Sequence, residues 1–188
     1  AADTVFVAAD LLSQAEHDEL ASSVLITDSQ QVVGSVLAEL QAQLDALKRR
    51  KIAQKSLEAY GAIIITKDLH KAAEIANRIA PEHLEIMTER PQRMLPLIRN
   101  AGAIFLGEWT PEALGDYAAG PNHTLPTGGT ARFSSPLGVY DFIKRSSILK
   151  FSKKGFSNLA ETVRRIADAE GLEAHGNTVR VRERRKGD

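Results

Sequence analysis

Short apolar runs alternate with segments of helical periodicity, and this alternation limits the folds open to the chain more than any other feature. The apolar, β-prone runs lie at residues 4–9, 23–27, 62–66, 84–87 and 103–106. Asp28 or Ser29 is placed to cap a long helix that extends toward the basic run at residues 48–51, and Asp68 to begin a helix through about Ile79. Buried strands separated by helices are typical of an α/β layer with a mostly parallel sheet.

The alternation of apolar runs and helical segments stops after residue 107. Residues 107–138 are rich in glycine and contain four of the seven prolines, and a loop of this length inside a compact domain is usually functional. Helical periodicity returns after about Val139. We therefore predict a partial Rossmann-like α/β domain over residues 1–136, with a mostly parallel sheet and flanking helices, and a helical C-terminal tail over residues 137–188.

Composition excludes several classes of function. The 24 basic and 24 acidic residues balance, and aromatic residues make up 5% of the chain, so no nucleic-acid surface is expected. The chain has no cysteine, which leaves histidine, carboxylate and amide groups as metal ligands. No apolar run approaches the roughly 18 residues of a membrane span, and no signal-peptide pattern is present. We expect a soluble, cytoplasmic protein. Because the first residues read like the middle of a domain, we also expect the sequence to be a fragment of a longer chain.

Two segments place a histidine beside possible partner ligands. In SQAEHD, Gln14 and His17 are three residues apart, which puts them on one face of a helix, where they could share a ligand or simply face solvent. In GDYAAGPNHTLPTGG, Asp116 and His123 flank small residues that let the backbone approach a ligand closely. The second segment could equally be an ordinary turn-rich loop.

Two further polar pairs each allow two interpretations. Glu82 and His83 are adjacent in APEHLEI, where they could start a helix or turn, or act together as acid–base partners near neutral pH. His175 follows Glu170 by five residues and could be a ligand or a helix C-terminal residue. The candidates fall at predicted strand ends or in loops, where α/β folds place their sites.

Taken together, four segments resemble the C-terminal half of the histidinol dehydrogenase family. They are, in this order and at fitting separations, DLLSQAEHD, APEHLEI, GDYAAGPNHTLPTGG and AEGLEAHGN, and the resemblance covers essentially all 188 residues. That family oxidises L-histidinol to L-histidine through a bound aldehyde, with two NAD⁺, in histidine biosynthesis. The resemblance thus implies an oxidoreductase that uses zinc and NAD and takes L-histidinol as its substrate.

The resemblance also implies roles for individual residues. The zinc ligands correspond to Gln14, His17, Asp116 and His175, and in the family the last of these comes from the neighbouring subunit of an intertwined homodimer. These four are also expected to lie at the substrate, which the zinc anchors.

The remaining roles concern the two oxidations. His83 corresponds to the base that takes the hydroxyl proton and contacts the substrate, and Glu82 to the residue that activates water for the second step. His123 and Glu170 correspond to positions that contact the substrate. The C-terminal tail, which holds His175, is expected to serve in dimerisation.

One expected part of such an enzyme is missing from the sequence. The family's N-terminal half contributes most of the NAD contacts, and this chain has no GxGxxG or other dinucleotide fingerprint. We therefore expect the chain to be inactive alone, either as a cleaved or truncated piece or as a chain that pairs with a separate N-terminal half. Two alternatives stay open: a non-catalytic α/β fragment or interaction module that retains the zinc-binding motifs, and a zinc hydrolase with Glu82 as its base.

Overall fold

The computed structural model describes residues 2–184, and the chain divides into two compact units between Phe142 and Ile143. The elements of the first unit are α1 (Thr4–Ala15), β1 (Val24–Thr27), α2 (Gln30–Ala46), α3 (Arg50–Tyr60), β2 (Ala62–Ile65), α4 (Leu69–Ile79), β3 (His83–Ile86), a 3₁₀ helix (Pro91–Leu97), β4 (Ala103–Leu106), α5 (Glu112–Tyr117) and two short 3₁₀ helices (Thr130–Arg132 and Val139–Phe142). No helix within residues 2–184 is both long and apolar enough to cross a membrane.

The strands pair in parallel, as the alternation of strands and helices predicted. β1 pairs with β2 in the register Val24–Ala62, and β3 pairs with β4 in the register His83–Ala103. In the described part of the chain these pairs form two separate two-stranded sheets. The α/β class with parallel strands and C-terminal helices is confirmed, although the strands form two small sheets here.

The prediction of a strand at residues 4–9 is wrong, because these residues open helix α1. The carboxylate of Asp3 accepts a hydrogen bond from the backbone N–H of Val5 at 2.9 Å and caps the helix. Val7, Ala8, Leu12 and Ala15 are the buried residues of α1. A short apolar run is compatible with a strand or with a buried helix. The helical spacing becomes visible only when Leu12 and Ala15, which lie beyond the run, are included.

The described residues of the first unit contain two apolar clusters, one formed by elements before β2 and one by elements after it. The first contains Leu12 and Ala15 of α1, Leu44 of α2 and Ala53 of α3. The second contains Ala73 of α4, Ile86 of β3 and Met94 of the 3₁₀ helix at Pro91–Leu97. Because Ile86 belongs to the second cluster, the apolar packing of that cluster stabilises β3, the strand that begins at His83.

The second unit, as described through Arg184, contains the helices α6 (Lys153–Ala169) and α7 (Glu173–Arg184). The side chain of Ser152 accepts a hydrogen bond from the N–H of Gly155 and caps α6. The two helices are joined by an ion pair between Asp168 and Arg180 and by one between Arg164 and Glu183 at 3.4 Å. The helical character predicted for the C-terminal part of the chain is confirmed for these residues.

Candidate active site

Four polar side chains of the first unit converge at the start of β3. They are His83 of β3, Glu112 and Asp116 of α5, and His123 of the following loop, and one ligand atom from each lies within 4.8 Å of all the others. Glu112 and Asp116 are four residues apart, so both project from the same face of α5. This group of four is called the polar cluster below.

The distances within the polar cluster show two pairs. Nδ1 of His123 lies 2.6 Å from Oδ1 of Asp116, and Nε2 of His83 lies 3.7 Å from Oε1 of Glu112. The rings of His83 and His123 stack, with centroids 5.9 Å apart and planes 11° from parallel. The side chain of His123 is 54% exposed, whereas that of Asp116 is 11% exposed. The cluster is therefore largely enclosed and is open to solvent on the His123 side.

Burial sets the protonation of His83. Desolvation lowers the pKa of His83, outweighing the opposite effect of the negative charges of Glu82 and Asp116. The nearby imidazoles of His123 and His17 lower this pKa further. A neutral imidazole is thus favoured at neutral pH, and a neutral imidazole can accept a proton.

The two carboxyl groups of α5 share their protons unequally. Burial, followed by the hydrogen bond to Asp116, raises the pKa of Glu112 to about 7. Burial also acts to raise the pKa of Asp116, but the hydrogen bond from Glu112 and the nearby His123 outweigh it, so the pKa of Asp116 lies below its ordinary value. Glu112 in its acid form therefore donates to the Asp116 carboxylate, which keeps its negative charge.

Two atoms of the polar cluster suit a further ligand. Nε2 of His83 and Oε1 of Glu112 are buried and have no hydrogen-bond partner among the described residues, although buried polar atoms in folded proteins nearly always have one. Imidazole nitrogen and carboxylate oxygen are common ligands of divalent metals. The donor set therefore fits a divalent cation or the polar atoms of a substrate.

A pair of partly buried carboxyl groups lies next to the polar cluster. Oε1 of Glu85, on β3, accepts a hydrogen bond from the backbone N–H of Glu112 at 2.9 Å. The carboxyl group of Glu85 is also hydrogen-bonded to that of Asp10 on α1. Burial, and next the charge of Asp10, raises the pKa of Glu85 to about 8, and burial raises the pKa of Asp10 despite this hydrogen bond. Glu85 is thus the protonated member of the pair and donates to Asp10.

Sequence reasoning missed Glu112, Glu85 and Asp10. Glu112 could have been found from its spacing of four residues to Asp116, which is the spacing of one helical face. Glu85 could have been found from its spacing of two residues to His83, because alternate residues of a strand share a face. Asp10 gave no usable signal, because it lies in the interior of α1 and is distant in sequence from Glu85.

The predicted site residues of the first unit lie on α1, β3 and α5 or in the segments next to them. Gln14 is in the last turn of α1 and His17 follows the C-terminal cap of that helix, where the N–H of His17 donates to the carbonyl of Gln14. His17 is exposed and is not part of the polar cluster, but its charge affects His83. Glu82 adjoins His83 and its charge affects both His83 and Glu112. The assignment of Gln14, His17 and Asp116 to one zinc ion stays a prediction.

The two remaining predicted residues belong to the second unit. Glu170 is the C-terminal cap of α6, and His175 lies in the first turn of α7. His175 thus begins a helix and does not end one. Its predicted role as a zinc ligand and the predicted substrate contact of Glu170 stay predictions.

Comparison with known proteins places the chain in a family. A sequence model described as histidinol dehydrogenase matches residues 1–183. The chain belongs to the histidinol dehydrogenase family. It is 58% identical to the histidinol dehydrogenase of Aquifex aeolicus over 96% of this chain and 42% of that protein. It is 54% identical to the histidinol dehydrogenase of Bacillus subtilis over 95% of this chain and 42% of that protein.

A solved structure gives the same result. The crystal structure of histidinol dehydrogenase from Elizabethkingia anophelis matches with a TM-score of 0.83 and 39% sequence identity, over 97% of this chain and 42% of that one. The chain corresponds to the C-terminal half of the family's sequence. It spans less than half the length of the histidinol dehydrogenases that it matches.

Proposed function

We propose that this chain carries the zinc site and the two catalytic bases of an enzyme that oxidises L-histidinol to L-histidine in the cytoplasm. In this proposal the chain acts as part of an intertwined homodimer and depends on the remaining half of a histidinol dehydrogenase for most of its contacts with NAD⁺. The observation that carries the proposal is the polar cluster, in which a largely buried imidazole whose neutral form is favoured by desolvation lies beside two carboxyl groups.

The donor groups of the first unit support the assignment of zinc. Asp116 keeps its charge and lies within the polar cluster, while Gln14 and His17 lie together at the end of α1. We assign these three as ligands, with His175 contributed by a second copy of the chain. When bound, zinc holds the substrate's imidazole and amine nitrogens and so fixes the position of its alcohol carbon.

His83 is assigned as the base of the first oxidation. The alcohol loses its O–H proton to the His83 imidazole as a hydride leaves the same carbon for NAD⁺, and the two electrons of the C–H bond go with the hydride. An aldehyde results. The lowered pKa of His83 supports this role because it keeps the imidazole free to accept a proton at neutral pH.

Glu82 is assigned as the base of the second oxidation. Its carboxylate takes a proton from water while the water oxygen bonds to the aldehyde carbon, and the hydrate then loses a second hydride to a second NAD⁺. The product is the carboxylic acid. Glu82 adjoins His83 in the chain and its charge acts on that imidazole, which supports the assignment of both bases to one substrate carbon.

Zinc binding and hydride transfer test the proposal separately. Calorimetric titration of the chain with zinc is expected to show binding, and His17→Ala to weaken it at least tenfold. With an added N-terminal half from a full-length relative, NADH formation from histidinol is expected, and His83→Ala should lower the rate by roughly 10²–10⁴-fold.

Two results would count against this function. Zinc affinity that is unchanged in His17→Ala would remove that residue from the ligand set. Full NADH formation in His83→Ala would remove it as the base. Turnover of an ester or amide by the chain without NAD⁺ would instead favour a hydrolase.

A further inference from the structure

We propose that Glu85 is a positioning residue, whose carboxyl group, braced by Asp10, holds the first turn of α5 and thereby aims Asp116 into the polar cluster. The proposal deepens the proposed function and rests on it only for the identity of the ligand at Asp116. Glu85 is not assigned a catalytic role, because its Oε1 is directed to the backbone of α5.

Helix α5 depends on groups outside itself. It has six residues, none of them buried, and Pro111 at its N-terminal cap makes no side-chain hydrogen bond to it. A helix this short is not stable in isolation, and the N–H groups of its first turn have no acceptor within the helix. Oε1 of Glu85 accepts from one of these groups, the N–H of Glu112, at 2.9 Å.

A second contact holds α5 three residues further along, at Gly115, and shows that its position is tightly defined. Gly115 packs so closely on Phe105 of β4 that a Cβ added at Gly115 would lie 2.6 Å from the Phe105 ring. Through its contacts with Glu85 of β3 and Phe105 of β4, α5 is held against both strands of the second sheet. Asp116 follows Gly115 directly, so its direction depends on both contacts.

Asp10 connects this support to the other half of the predicted site. It lies on α1, one helical turn before Gln14, and its carboxylate accepts the hydrogen bond from Glu85. The Glu85 carboxyl group therefore links three elements, α1 with Gln14, β3 with His83 and α5 with Asp116. Burial raises the pKa of Glu85 to about 8, which agrees with a proton held between the two carboxyl groups.

The test compares Glu85→Gln with Glu85→Leu in the full chain. Glutamine can accept from the Glu112 N–H and donate to Asp10, whereas leucine can do neither. The first readout uses metal-free protein: NMR of labelled histidine follows the contact between His123 and Asp116. The second readout is zinc affinity by calorimetry, and circular dichroism establishes that each variant is folded.

We expect Glu85→Gln to keep the His123 signal and the zinc affinity of the parent chain, and Glu85→Leu to change the signal and weaken zinc binding at least tenfold. Glu89→Leu, at an exposed position of the same segment, is the matched control and should change neither. A folded Glu85→Leu with both readouts unchanged would overturn the proposal, and so would a Glu85→Gln that fails as badly as Glu85→Leu.

If Glu85→Leu does not fold, the test uses Asp10→Ala instead. This substitution removes the hydrogen-bond partner of Glu85 and leaves Glu85 itself unchanged. A His123 signal unchanged in Asp10→Ala would then count against the brace. Failure of the proposed function is recognised differently: the parent chain itself would bind no zinc, while the NMR comparison of metal-free variants would still decide the role of Glu85.

Discussion

Nδ1 of His123 lies 2.6 Å from Oδ1 of Asp116, so an exposed imidazole of the long loop contacts a largely buried carboxylate of α5. The same carboxylate accepts a hydrogen bond from Glu112, and these two neighbours keep its pKa below the ordinary value. Asp116 is therefore the group on which negative charge is concentrated in the polar cluster. A cation that enters the cluster should be held mainly there.

We expect Asp116→Asn to weaken zinc binding at least tenfold, which corresponds to about 1.4 kcal/mol. The substitution keeps the size of the side chain but removes its charge, and a neutral amide oxygen is the poorer ligand for zinc. Calorimetric titration checks this, with His70→Ala as the control because His70 is an exposed histidine of α4. Equal affinity of Asp116→Asn and the parent chain would exclude Asp116 as a ligand.

The partly buried carboxyl pair of Glu85 and Asp10 predicts that the metal-free chain, measured with a chelator, loses stability as the pH rises. The pKa of Glu85 is about 8 in the folded chain and 4.5 ordinarily. Between these values the unfolded chain releases a proton that the folded chain keeps, so the stabilisation present below pH 4.5 is lost progressively as the pH rises through about 8. Asp10 and Glu112, which face Glu85, have raised pKa values and act in the same direction.

Glu85→Gln removes one of these titrating groups. We expect the melting temperature of the parent chain, measured in the presence of a chelator, to fall more steeply than that of Glu85→Gln between pH 5 and pH 8. Two parallel curves would mean that Glu85 does not hold a proton in the folded chain.

Several elements could be predicted from the sequence because their signals are local. Ser29 and Asp68 cap α2 and α4 through their side chains, and the strands β1 and β2 lie within the apolar runs that predicted them. Helix α3 was missed. Its buried positions, Ala53 and Ser56, are small, and without large apolar residues they give no visible hydrophobic stripe.

The site could be predicted only in part, for a physical reason. His83, Asp116 and His123 carry functional groups in recognisable motifs, and the structure brings these three together. Glu85 and Asp10 are separated by 75 positions in the numbering, and their contact depends on how α1 packs near β3. The hydrophobic periodicity of each segment does not predict this contact, because the contact forms only when the two segments pack together in the folded chain.

The N-terminal cap of α4 should contribute to the stability of the segment before His83. The carboxylate of Asp68 accepts a hydrogen bond from the N–H of Lys71 at 2.7 Å, and this bond lowers the pKa of Asp68. We expect Asp68→Ala to lower the melting temperature at pH 7 by a few degrees. Because the lowered pKa means that the stabilisation is lost as the pH falls through it, the difference should shrink in acid.

The control for this substitution is Asp28→Ala. Asp28 is exposed and precedes the residue that caps α2, which is Ser29. Thermal melts followed by circular dichroism at pH 7 and in acid make the comparison. A difference between parent chain and Asp68→Ala that is the same at both pH values would show that the charge of the carboxylate does not matter.

Gly102 lies against the backbone that presents the two proposed bases, and a side chain there should disturb them. Its N–H donates to the carbonyl of Pro81 at 2.9 Å, and a Cβ at this position would lie 2.6 Å from the carbonyl oxygen of Glu82. The obstructing atom is backbone, so it cannot move aside as a flexible side chain could. We expect Gly102→Ala to destabilise the chain by about 1–3 kcal/mol and to change the NMR signal of His83.

Gly34→Ala is the matched control for Gly102→Ala. Gly34 lies within α2, and a Cβ there meets no atom within 4 Å. The same substitution should therefore stabilise the chain by about 0.5–1 kcal/mol, because alanine favours the helix. Urea unfolding of both variants gives the two free energies of unfolding. If Gly102→Ala proved as stable as the parent chain with an unchanged His83 signal, the close packing of Gly102 against Glu82 could not be what positions the bases.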